Sequence, residues 1–149
     1  DSVLRQEFRR WELLIVDDGS RDATRAIAEA YAERDGRVRV LTHPGGANRG
    51  QFASRMTAAE VSHAPVIAML DADDLWPEDY LLRALDCWQR LSSQGPLTAL
   101  YGPSLYWYPD EPGEPREPQR ALCALPRRFA PGEALELFLA KQYIATPCP

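Results

Sequence analysis

The chain has 149 residues, 45% hydrophobic and 26% charged, which suits one soluble globular domain with a sizeable core. Its net charge of -5 disfavours nucleic acid as the main partner, because phosphate-backbone affinity comes from clustered Lys and Arg. No apolar run reaches the roughly 20 residues that cross a bilayer, and no secretory signal is visible at Asp1-Ser2-Val3-Leu4. Cys87, Cys123 and Cys148 are odd in number and far apart, so they read as reduced thiols in a cytoplasmic setting rather than as zinc ligands or disulfides.

Along the chain, Trp11 to Val16 is a short apolar run ending at Asp17-Asp18-Gly19-Ser20, the pattern of a buried strand leading into a tight loop. Asp22 and Thr24 are suitable caps for a helix carrying Ala23, Ile27, Ala30 and Tyr31 and closed by Gly36. Val38 to Leu41 reads as a second strand, and the loop from His43 to Gly50 leads to a helix over Gln51 to Val61. Val66 to Leu70 reads as a third strand running into Asp71-Ala72-Asp73-Asp74. Pro77 suits the first turn of the next helix, whose buried stripe is Leu81, Leu82, Leu85, Trp88 and Leu91. A fourth strand is expected at about 98–101. This alternation predicts crossover units on a mainly parallel sheet.

Ten of the 13 prolines lie from Pro96 onward, and Pro109, Pro112, Pro115 and Pro118 recur every third residue. That spacing favours extended, solvated backbone over residues 109–120, with a last short helix over 132–140.

In open parallel sheets, ligands bind outside the carboxyl ends of the strands. Both acidic clusters are predicted there, so Asp17-Asp18 and Asp71 to Asp74 can face one crevice. The first cluster is equally well read as a turn and helix cap. The second is harder to dismiss, since three carboxylates within four residues repel one another unless a cation, water or donors compensate. Hard oxygen ligands suit Mg2+ or Mn2+, ions usually held by one or two carboxylates together with substrate phosphates.

Taken together, Ser2 to Gln6, WELLIVDDGSRDAT at 11–24, Asn48-Arg49-Gly50, Arg55 and VIAMLDADDLWPEDYL at 66–81 resemble family 2 glycosyltransferases in order and spacing. The resemblance covers residues 1 to 91 and is loose beyond them. It implies a three-layer α/β/α GT-A fold, a donor of the UDP- or GDP-sugar class, and inverting transfer to an acceptor hydroxyl. By the same resemblance, Asp18 reaches the nucleotide base and Asp17 shapes the base and ribose pocket. Asn48 belongs to the donor site, and Arg55 lies near the diphosphate. Asp71-Ala72-Asp73 matches the Asp-x-Asp motif, with Asp71 near the ribose and Asp73 as the metal ligand. Asp74 either supports Asp73 or caps the following turn. Met56 departs from the Asn common after that Arg. His43 and His63 read as loop residues, and Trp76 either packs or lines the acceptor side.

The resemblance also sets expectations about extent. Residues 1–108 form the nucleotide-sugar-binding part, 109–120 the Pro-rich loop and 121–149 the start of the acceptor part. Family members begin with an apolar strand before the first motif and carry a base beyond the second. Neither is recognisable here, Glu133 and Glu136 reading as surface residues, so the chain is expected to be a fragment that is inactive alone and prone to dimerise. Membrane association would come only through parts not present. Two alternative functions compete with this reading. In a haloacid-dehalogenase-like phosphatase Asp71 would be the nucleophile, but the acidic pair expected downstream of Lys141 is missing. A scaffold would retain the fold without turnover.

Overall fold

The computed structural model describes residues 1–96 and Leu100. The elements are β1 (Leu13–Asp17), α1 (Thr24–Arg34), β2 (Val38–Thr42), α2 (Gln51–Val61) and α3 (Tyr80–Ser92), with a short 3-10 turn at Pro44–Gly46. The chain divides into two compact units, Asp1–Arg83 and Ala84–Pro149, with the boundary inside α3.

In the first unit β1 and β2 pair in parallel, Leu13 opposite Val38 through Asp17 opposite Thr42. A parallel pair needs a crossover, and α1 supplies it. Asp22 accepts the Thr24 amide at 3.0 Å, one residue ahead of the N-cap position held by Ala23. The return from α1 to β2 is stiffened by Asp35, which takes the Arg37 guanidinium at 2.7 Å and its backbone amide at 3.0 Å. That guanidinium lies 3.7 Å from the centre of the Trp11 ring. Glu12, just before β1, accepts the His63 amide at 2.6 Å and so ties the start of the strand to the exit of α2.

Among the described residues, polar side chains outnumber apolar ones in the buried set. Val3, Ala28 and Val38 are buried beside Ser2, Gln6, Asp17, His43 and Ser54. Gln6 is fully buried and satisfied on both sides of its amide. It donates to the carbonyls of Ser2 (3.2 Å) and Pro77 (2.6 Å), and its oxygen accepts the Leu81 amide (2.9 Å). A neutral amide replacing a ladder of backbone bonds here joins the first residues of the chain to the approach to α3.

The strand expected at 66–70 is not formed. Val66, Ile67 and Met69 are 37%, 48% and 60% exposed, and the two-stranded sheet among the described residues offers that segment no ladder. Apolar content signals a preference for burial, but a strand exists only where a neighbour takes its backbone groups. The start of α3 lies at Tyr80, three residues after Pro77, whose carbonyl accepts the Tyr80 amide at 3.0 Å. Of the expected α3 stripe, Leu81, Leu85, Trp88 and Leu91 are half-buried, whereas Leu82 is exposed. The expected strand at about 98–101 (apart from Leu100), the Pro-rich 109–120 segment and the 132–140 helix lie outside the described residues.

Candidate functional site

The first acidic loop is set by its own turn chemistry. Asp17, the last residue of β1, is buried, and its Oδ1 accepts the Ser20 amide at 3.1 Å. Gly19 follows with φ of 78°, and a Cβ there would stand 2.9 Å from the Gly46 carbonyl oxygen and 3.0 Å from the Asn48 amide nitrogen. Only glycine lets this loop lie backbone to backbone against the 43–50 loop. The approach brings Asp18 to the entrance of α2.

There the Asp18 carboxylate accepts the amides of Arg49 (2.6 Å) and Gly50 (2.8 Å), while its carbonyl accepts the Asn48 side chain (2.8 Å). A carboxylate at this place also meets the positive end of the α2 dipole. Buried His43 joins from within: its Nε2 lies 2.9 Å from Ser54 Oγ and 3.4 Å from Asp18 Oδ1.

The second acidic loop reaches the same helix. Asp71 Oδ1 accepts Arg55 Nη2 at 2.6 Å and Gln51 Nε2 at 3.2 Å, both from α2. The Asp71 carbonyl closes a turn on the Asp74 amide at 3.1 Å. Asp73 is exposed and carries no side-chain hydrogen bond or ion pair among the described residues. Beyond it, Trp76 stacks on Tyr80 with ring centres 4.5 Å apart, and burial pushes the Tyr80 phenol up.

The first two turns of α2 therefore bind both acidic loops, Asp18 through Gly50 and Asp71 through Gln51 and Arg55. Of the residues expected from sequence, Asp18, Asn48, Arg55 and Asp71 are drawn to this helix. Asp17 turns inward to shape its loop, and Asp73 stands at the surface. Met56, where the family pattern often has Asn, is exposed. Sequence reasoning missed Gln51 and the Arg49 and Gly50 amides, and it read His43 as an ordinary loop residue. The one available signal for His43 was its position at the mouth of a Gly-rich loop.

Among the described residues no three His, Cys, Asp or Glu side chains converge as a metal cage. Asp73 stands exposed two residues beyond the Asp71 carboxylate that Arg55 holds.

Parallel strands whose carboxyl ends feed loops onto a helix N-terminus define an α/β protein with its candidate site at the strand ends. The chain matches the profile of Glycosyl transferase family 2 over residues 1–143 and belongs to that family, whose domain has the GT-A α/β fold. It is 39% identical to the glycosyltransferase TuaG of Bacillus subtilis over 85 residues, 57% of this chain and 33% of that protein. It is also 39% identical to the glycosyltransferase EpsJ of the same organism over 74 residues, 50% of this chain and 21% of that protein. A third relative is the UDP-Glc:alpha-D-GlcNAc-diphosphoundecaprenol beta-1,3-glucosyltransferase WfgD of Escherichia coli, 39% identical over 75 residues, 50% of this chain and 28% of that protein. The match thus spans a third or less of the length of each of these relatives.

Proposed function

We propose that this chain supplies the donor-binding part of a glycosyltransferase that takes a nucleotide-diphosphate sugar of the UDP- or GDP-sugar class and passes the sugar to an acceptor hydroxyl with inversion. The observation that carries the reading is the attachment of both acidic loops to the N-terminal turns of α2, where backbone donors and the helix dipole favour an anion. The UDP-Glc specificity in the name of WfgD favours a uridine donor.

In this reading Asp18 faces the nucleoside, with Asp17 and Asn48 holding the loop that presents it. Arg55 holds Asp71 beside the ribose and supplies positive charge near the diphosphate. Asp73 is the residue that would hold a divalent cation, whose chemistry is to neutralise the negative charge growing on the departing nucleoside diphosphate. Among the described residues no helix is long and apolar enough to cross a membrane.

The test is a calorimetric titration of the full-length protein with nucleoside diphosphates, with and without Mn2+. Asp73→Ala is expected to abolish the metal-dependent part of binding, and Asp18→Ala to weaken nucleoside recognition chiefly. Unchanged affinity and manganese dependence in both variants would remove the assignment.

A further inference from the structure

His43 is buried although it opens a loop. Its side chain is 3% exposed, and its Nε2 sits 2.9 Å from Ser54 Oγ and 3.4 Å from Asp18 Oδ1. Ser54 Oγ is itself 3.2 Å from the Gly50 carbonyl and donates its proton there. With that proton committed, the hydroxyl accepts from an N–H on His43 Nε2. At 3.4 Å the approach to Asp18 is long for a hydrogen bond, so Ser54 is the principal partner and Asp18 is reached mainly through the N–H dipole.

The resulting ring of contacts closes on itself. His43 opens the 43–50 loop and Ser54 lies one turn into α2, so their bond spans the whole loop. That loop contains Gly45, Gly46 and Gly50 at φ of 70°, 66° and 85°, conformations in which the backbone itself has little steric restriction against change. It also supplies the Arg49 and Gly50 amides that hold the Asp18 carboxylate. Without the His43 to Ser54 closure, the segment carrying those two donors would keep the Asn48 bond to the Asp18 carbonyl but lose the tie from the start of the loop to α2.

We propose that His43 is a positioning residue for the nucleoside half of the donor: seated on Ser54, it braces the 43–50 loop and holds the Asp18 carboxylate in its recognition geometry. This rests on the assignment of Asp18 to the nucleoside. The diphosphate half, served by Arg55 and Asp73, is independent of His43.

The experiment measures two affinities in the full-length protein with Mn2+ present. One is for the tightest binder among UDP, GDP, dTDP and ADP, and the other is for inorganic pyrophosphate. His43→Ala is expected to weaken the nucleoside diphosphate roughly tenfold, the scale of one lost hydrogen bond to a charged network, and to leave pyrophosphate unchanged. His43→Gln, which offers an amide N–H at similar reach, is expected to recover affinity to within about threefold of the unaltered protein. Equal loss of both ligands, or no rescue by Gln, would mean that His43 only maintains the fold and would overturn the inference. The Asp18→Ala variant separates the two claims. If it weakens nucleoside binding while His43→Ala does not, the inference alone falls. If Asp18→Ala has no effect, or the unaltered protein binds none of the four nucleotides, the donor-site reading falls and this inference with it.

Discussion

Arg55 Nη2 and Asp71 Oδ1 lie 2.6 Å apart, joining α2 to the first carboxylate of the second acidic loop. The Arg55 side chain is 38% exposed, and an ion pair so wetted contributes at most about 1 kcal/mol to folding. Its value lies in placing charge rather than in stability. Arg55→Ala is therefore expected to shift the unfolding free energy by less than about 1 kcal/mol in urea while weakening donor binding about tenfold. A large stability loss with unchanged donor affinity would assign Arg55 to structure alone.

Gly19→Ala is expected to be costly for two separable reasons. The residue would hold φ of 78°, at roughly 1–2 kcal/mol for a side chain, and its Cβ would press on backbone atoms of Gly46 and Asn48 that cannot rotate away. The two loops must part, and Asp18 loses its approach to the Arg49 and Gly50 amides. Chemical denaturation should show a loss above about 2 kcal/mol, and donor affinity should fall with it. Gly36→Ala, with nothing within 4 Å of the added Cβ, is the control expected to show little change.

Gln6→Leu keeps the volume of a fully buried side chain but leaves the Ser2 carbonyl and the Leu81 amide without their Gln6 partner and takes one of two donors from the Pro77 carbonyl, which keeps the Tyr80 amide. Each orphaned buried group costs about 1–3 kcal/mol, so a loss of several kcal/mol is expected in equilibrium unfolding. A change below about 1 kcal/mol would show that water replaces the amide at all three places.

The Asp35 carboxyl is held down to about 2, first by the Arg37 guanidinium and then by the Arg37 backbone amide. Because the folded value is depressed, the associated stability is fully present above the ordinary aspartate range and is lost as pH falls through about 2. Carboxyl NMR titration should find the depressed midpoint, and Arg37→Ala should move it upward. A midpoint unchanged by that substitution would refute the pairing as the cause.

Much of this is legible in the sequence. The apolar run after Trp11 and the short run at Val38 became the parallel pair β1 and β2, and the periodicity over Gln51 to Val61 became α2. Local pattern is enough for such elements because their propensity, turn residues and caps are all near neighbours in sequence. The two acidic motifs, with the Asn-x-Gly and Arg between them, pointed to the family that the match over residues 1–143 establishes.

The apolar run at Val66 shows where such reading stops. Side-chain preference is a property of the run, but a ladder belongs to two strands at once, and the described sheet gives it none. The same limit hid His43 and Gln6. One depends on Ser54 and Asp18, 11 and 25 residues away, and the other on Pro77 and Leu81, more than 70 residues away. Sequence by itself determined which segments are helix or strand formers, where the carboxylates fall and which family they belong to. Only the tertiary structure decided that both acidic loops close on the N-terminal turns of α2, with a buried imidazole behind one of them. Hydrogen bonds act over about 3 Å of space, whatever the separation along the chain.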